Sequence, residues 1–236
     1  MSSAVILQHV AHEGAGRIIP ILRDFGIPVQ IRRLHQGDEV PTDLDELRLL
    51  IVLGGSMSVS DIGNSQYPFL AQEVEVLKRL IATDRPVLGI CLGAQMLARV
   101  LGARVFPGPK ELGWAPLILT PEGETSVVAP VGPDSTSMLH WHGDTFDLPP
   151  KATLLASTEQ VAHQVFSWER FVLAFQCHPE VRHEDIESWL IGHASEIAAA
   201  SGASVEQLRK DTQYYGPTLT ACAKTVFTEW LESVGL

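Results

Sequence analysis

PVLGICLGAQMLARVL, residues 86–101, is the stretch on which the fold turns. Pro86–Ile90 is a short apolar run suited to a buried strand, and Leu92–Leu101 reads as a helix. Cys91 stands alone at the turn between them, with Gly89 and Gly93 two places to either side. This is the cysteine version of the G-x-S-x-G strand–turn–helix elbow, where glycines remove the Cβ atoms that would crowd a tight turn. The thiol then lies at a helix N-terminus, whose dipole favours thiolate, so Cys91 is expected to have a depressed pKa. The same residues also describe a structural cysteine between packing glycines, and spacing alone leaves both readings open.

Working outward, the pattern repeats. Ala4–Val10 is an apolar strand candidate, Gly14–Phe25 has one apolar helical face, and Val29–Leu34 reads as a second strand. Leu49–Leu53 is a continuous apolar run stopped by Gly54-Gly55, and Pro68–Ala82 has helical periodicity. Strand and helix alternate, which implies βαβ units and a parallel sheet covered on both faces. After Val105 the texture changes. Short strand candidates at Leu117–Thr120, Thr153–Ser157, Ala162–Trp168 and Phe171–Phe175 are separated by turns, the last two forming a hairpin near Glu169-Arg170. Glu184–Ala200 and Pro217–Val234 read as helices, the second with Leu219, Val226, Phe227, Trp230 and Leu231 on a buried face.

Two further segments carry chemistry. In Phe175-Gln176-Cys177-His178-Pro179-Glu180 the His and Glu are two residues apart, so an extended chain points them to one side. A carboxylate placed there would hold the imidazole's tautomer while its other nitrogen faces a thiol; a surface His near a Glu is the plainer alternative. Gly54-Gly55, ending a buried strand, leaves backbone N–H groups free to face a ligand, as an oxyanion hole requires.

Taken in order, Gly54-Gly55, Gly89-Ile90-Cys91-Leu92-Gly93-Ala94-Gln95 and His178-Pro179-Glu180 resemble the class I glutamine amidotransferases. The likeness is to stand-alone members similar to the amidotransferase domain of GMP synthase, over roughly residues 4 to 190. Ser56 and Cys177 depart from the family, which often has Pro and Phe there. The resemblance implies a flavodoxin-like open parallel sheet flanked by helices, with additional antiparallel strands at one edge. It implies hydrolysis of glutamine through a γ-glutamyl thioester, with Cys91 as nucleophile, His178 as base and acid, and Glu180 as its orienter. The Gly55 and Leu92 amides would form the oxyanion hole. Gln95, Gly54 and His142 would border the substrate. No cofactor is implied.

His140-Trp141-His142-Gly143-Asp144 could suggest a zinc site, but no other cluster supplies the remaining ligands, so no metal is expected. Lys110-Glu111-Leu112-Gly113-Trp114 looks like a family loop, with turn formation as its expected role. Lys plus Arg total 17 against 28 Asp plus Glu, a net charge of -11, which repels phosphate backbones and argues against nucleic acid. Cys91, Cys177 and Cys222 are too sparse for a disulfide framework and suit a reducing cytoplasm. Cys177 is expected to face away from His178 and Cys222 to lie on a buried helix face. No apolar run reaches the roughly 18 residues of a membrane span, and Met1 to Val10 lacks the basic start of a signal peptide.

The expected organisation is one domain over residues 1–236, with 183–236 a helical extension packed on it. No P-loop is present. Three functions stand open: an amidotransferase subunit feeding ammonia to a separate synthetase, a stand-alone hydrolase of γ-glutamyl amides or peptides, and a non-catalytic binding protein.

Overall fold

In Ala4-Val5-Ile6-Leu7 every side chain is buried, although alternate residues of a strand point to opposite faces. Such a strand needs cover on both sides, and the computed structural model, which describes residues 3–132, 134–200 and 202–236, supplies it. The strands are β1 (Ser3–Gln8), β2 (Val29–Arg33), β3 (Leu47–Val52), β4 (Val87–Ile90), β5 (Val105–Ala115), β6 (Ile118–Leu119), β7 (Met138–Phe146), β8 (Ala152–Ser157), β9 (Val165–Trp168) and β10 (Val172–Phe175). The helices are α1 (Ile18–Asp24), α2 (Pro68–Ile81), α3 (Leu92–Val100), α4 (Pro121–Glu124), α5 (Ile186–Gly192), α6 (Ala194–Ala199) and α7 (Val205–Ser233).

Eight strands form one sheet in the order β2-β1-β3-β4-β10-β9-β8-β6. The first five run parallel, and β9, β8 and β6 continue antiparallel beyond β10, as expected for an edge extension. The β9–β10 hairpin turns at Glu169-Arg170, with Trp168 opposite Val172. Ala4, Ile6, Leu49 and Ile51 pack with α1 and α7 residues on one face. Val5, Leu7, Leu50 and Val52 pack with α2 and α3 residues on the other.

Several boundaries differ from the sequence reading. Helix α1 begins at Ile18 rather than Gly14, because the preceding residues dock on the backbone of Glu180. The Arg17 amide donates to the Glu180 carbonyl at 3.0 Å, and Gly16, at φ +44, lies so close to that carbonyl that a Cβ would overlap it. Lys110-Glu111-Leu112-Gly113-Trp114 is no turn. It lies inside β5, which pairs with β7 in a separate two-stranded sheet whose register shifts between Pro107 and Glu111. The partner strand is distant in the chain, so local pattern gave no hint of the pairing. Helix α7 starts at Val205, capped by Ser204 accepting from the Gln207 amide, and runs through Pro217. A proline inside a helix forfeits one hydrogen bond. Tertiary burial outweighs that loss: Leu208 packs under the small sheet and Leu219, Phe227 and Trp230 pack in the main core. The expected Glu184–Ala200 helix divides into α5 and α6 at His193. Cys177 is fully buried in the core, while Cys222 is only half-buried on α7. No helix among the described residues is long and apolar enough to cross a membrane.

Packing on α7 yields a stability test. Phe227→Ala removes a ring buried in the main cluster and should cost about 3–5 kcal/mol in a denaturant titration. Ile191→Ala, at a side chain 76% exposed, should stay within about 0.5 kcal/mol of the parent.

Candidate active site

The elbow forms as the spacing requires. Cys91 has φ 51 and ψ -108, a left-handed conformation between β4 and α3. Its amide donates to the Phe175 carbonyl at 2.7 Å and its carbonyl accepts from the Gln95 amide at 3.0 Å. The flanking glycines are there for close approach. A Cβ on Gly89 would stand 2.7 Å from the Gly93 carbonyl oxygen, and one on Gly93 would overlap the carbonyl of Val52.

Just beyond β10, the His178 amide donates to the Leu139 carbonyl of β7 at 2.8 Å. That bridge sets the extended backbone that brings His178 Nδ1 within 2.8 Å of Glu180 Oε1. Both side chains are buried, and Trp189 of α5 packs edge-on to the ring at 4.8 Å. His178 Nε2 is buried without a hydrogen-bond partner, and the Cys91 thiol donates to the Trp141 carbonyl at 3.7 Å. Burial alone would lower the His178 pKa. Glu180 and Cys91 outweigh it, and His178 stands well above the usual imidazole range. Cys91 goes against expectation. Burial pushes its thiol up, and hydrogen bonding and charge from His178 pull it down without cancelling the effect. Loss of water around the sulfur is the largest influence on this thiol, and it disfavours thiolate.

Gly54 lies among these groups. A Cβ there would stand 3.2 Å from His178 Cε1 and 3.4 Å from Cys91 Cβ. Its carbonyl is bound at 3.0 Å by Nδ1 of His9, whose Nε2 lies 3.1 and 3.2 Å from the two Glu73 oxygens. His9 and Glu73 side chains are fully buried. Burial lowers the His9 pKa, and Glu73 reverses that to a net rise. Gly55 in turn has His9 Cβ only 2.8 Å from where its own Cβ would be. The Gly55 and Leu92 amides take no part in the backbone hydrogen bonds of the described residues.

A cavity of about 240 Å³ opens over Cys91. Gln95 and His142 line it, and both are engaged in hydrogen bonds. Gln95 Nε2 donates to Gln176 Oε1 at 3.2 Å and the Asp144 carbonyl at 3.3 Å. His142 lies between the Asp144 carbonyl at 3.1 Å and Glu111 Oε2 at 2.9 Å. Glu111, directly opposite His142 across the β5–β7 ladder, is the third polar group that the sequence reading found missing beside His140 and His142. Thr158 and Gln164 also donate to it. The cluster is a hydrogen-bonded core, in which burial lowers the His140 pKa to about 4 against the pull of Glu111.

Glu13, His193 and Glu196 complete the cavity wall. None stands out in sequence. Glu13 follows the C-terminal end of β1, where sites gather in open parallel sheets, and that was the one available signal for it and His9. His193 is distant in the chain and carried none.

Residues 16–192 match the family model described as glutamine amidotransferase class-I. A glutamine amidotransferase-like protein of Salmonella typhimurium, YfeJ, is 33% identical over 198 residues, 82% of this chain and 82% of that one. A glutamine-hydrolyzing GMP synthase of Streptococcus mutans is 29% identical over 170 residues, covering 70% of this chain and 30% of the synthase. Among solved structures, a glutamine amidotransferase of Thermotoga maritima shares 27% identity with a TM-score of 0.86 over 100% of both chains. Another, from Methylobacillus flagellatus, shares 26% with a TM-score of 0.87 over 99% of this chain and 95% of that one.

The elevated thiol sets a pH test. Alkylation by iodoacetamide needs the thiolate, so labelling of Cys91 should keep climbing through about pH 9 instead of levelling near neutrality. His178→Ala removes a group that pulls the thiol down, and should slow labelling at about pH 8. Peptide mapping after timed alkylation reads both. A plateau near neutral pH would contradict the burial argument.

Proposed function

This chain belongs to the class I glutamine amidotransferase family, and from that premise we propose that it hydrolyses the carboxamide of glutamine or a related γ-glutamyl amide on Cys91. The observation that carries the reading is a buried cysteine in a left-handed strand–helix turn, with Gly54 packed between it and an imidazole held at 2.8 Å by a buried carboxylate. The cavity of about 240 Å³ is below the roughly 300–1,000 Å³ of drug-sized ligand sites, which favours an amino-acid-sized substrate over a peptide.

In the proposed reaction the Cys91 proton passes to His178 as sulfur bonds to the amide carbon, and the carbonyl oxygen becomes an oxyanion. The Gly55 and Leu92 N–H groups receive that charge. The carbon–nitrogen bond breaks, nitrogen takes the proton from His178, and ammonia leaves a γ-glutamyl thioester. Water then adds, giving a proton to His178. The carbon–sulfur bond breaks, the proton returns to sulfur, and glutamate departs. Glu180 keeps His178 in the Nδ1–H tautomer, so that Nε2 meets the thiol. Gln95, Gly54 and His142 border the amino-acid end of the substrate. A separate synthetase is the partner that would consume the ammonia, and three free thiols suit a reducing cytoplasm.

His9 and Glu73 act on this reaction as positioning residues. In a trans peptide the C=O and the following N–H lie in one plane and point in opposite directions. Holding the Gly54 carbonyl with His9 therefore aims the Gly55 N–H away from His9, towards the Cys91 side.

Ammonia release from glutamine, followed with and without co-purifying proteins, tests the reading. Cys91→Ala should lower turnover by roughly 10⁴-fold or more, and Glu180→Ala by less. If purified protein and partner mixtures release no ammonia and no acyl group can be trapped on Cys91, the hydrolase reading fails. His9→Ala should lower kcat roughly 10²-fold with KM little changed, the signature of a misplaced oxyanion donor. An equal rise in KM would instead mark a binding role.

A further inference from the structure

We propose that His12, Glu13 and His193 form a binding site for a divalent first-row cation, Zn²⁺ as its probe, beside the Cys91 cavity, whose wall Glu13 and His193 line. Their donor atoms converge. His12 Nε2 lies 3.1 Å from His193 Nε2, His193 Nε2 lies 3.1 Å from Glu13 Oε1, and His12 Nε2 lies 4.0 Å from the same oxygen. Two imidazole nitrogens and one carboxylate oxygen at such spacing are the donor set of four-coordinate zinc sites that keep an open position. Magnesium and calcium favour all-oxygen shells and are poor matches.

The surroundings support the site. The rings meet edge to face at 89°, with centroids 4.4 Å apart. The His12 ring is packed so close to Gly192 that a Cβ there would overlap it. On its other side, His193 Nδ1 lies 3.3 Å from Glu196 Oε2, which also accepts from Trp141 Nε1 at 2.9 Å. A carboxylate on the far nitrogen of a ligating imidazole fixes the tautomer that leaves Nε2 free. His193 and Glu13 are buried, while the His12 side chain is 22% exposed and gives a way in from solvent. The other cluster of this kind among the described residues, Glu111 with His140 and His142, is closed in comparison. Both His142 nitrogens are bonded and Glu111 also accepts from Thr158 and Gln164. Glu13 and His193 share the cavity wall with Cys91. A cation held there ties down that wall and narrows access to the thiol.

The test needs no catalytic assay, so its outcome is separable from that of the hydrolase reading. Chelator-stripped protein is titrated with Co²⁺, read by its visible absorption, and then with Zn²⁺ in competition with a chromophoric chelator. One equivalent should bind. Glu196→Gln should weaken binding about 10-fold, and His12→Ala and His193→Ala should weaken it more. Cys91→Ala should still bind one equivalent. His12 is partly exposed, so His12→Ala carries the test if His193→Ala does not fold. One equivalent of Zn²⁺ should also slow alkylation of Cys91 in the parent and leave the rate in His12→Ala unchanged. The proposal is overturned if no equivalent binds, if Cys91→Ala abolishes binding, or if His140→Ala abolishes it while His12→Ala does not.

Discussion

Gly93 rests on the carbonyl of Val52 with no room for a Cβ, and the geometry of the site depends on that contact. It presses the first turn of α3 onto β3, so the chain leaving β4 has one residue in which to reverse. Cys91 takes the whole reversal at φ 51, a conformation costing on the order of 1–3 kcal/mol for a residue with a Cβ. The strain persists because neighbouring contacts over-determine it: the Cys91 amide is held by Phe175 and its carbonyl by Gln95. The bond to Phe175 also couples the elbow to β10, whose continuation carries His178 and Glu180. One steric constraint thus sets the thiol and sets where the imidazole must arrive.

The small β5–β7 sheet and the C-terminal helices build the rest of the cavity. β7 accepts the His178 amide at Leu139 and presents Trp141 and His142 over Cys91. Leu139 and Trp141 pack with Val181, Ile186, Trp189, Leu190 and Leu208, so this sheet and α5 to α7 share one apolar cluster. The helices therefore do more than cover the core. Through His193 and Glu196 they line part of the cavity wall.

Buried charge is concentrated around this cavity. His9–Glu73 and His178–Glu180 are both almost without solvent exposure. Desolvation of such pairs can exceed their mutual attraction, so they are weak contributors to stability. Their value is positional. One pair holds the Gly54 carbonyl, and the other fixes the His178 ring through Nδ1.

The sequence by itself determined the parallel frame, the elbow and the His178–Glu180 pair, because each is written in local spacing. Apolar runs mark β1, β3 and β4, two glycines around Cys91 mark the turn, and an i, i+2 spacing puts imidazole and carboxylate on one side. It did not disclose that β5 pairs with β7, that α7 passes through Pro217, or that the thiol is pushed up and not down. Each of these follows from burial against residues far away in the chain, and burial has no local signature. His9, Glu13, Glu73 and His193 belong to the same class. Glu73 reads as one polar position on an amphipathic helix until β1 brings His9 against it, and His193 is a helix-end residue until α5 carries it to Glu13. Only the closing of the sheet and the docking of the C-terminal helices bring those donors within hydrogen-bond range, because the distances between them are set by packing and not by sequence separation.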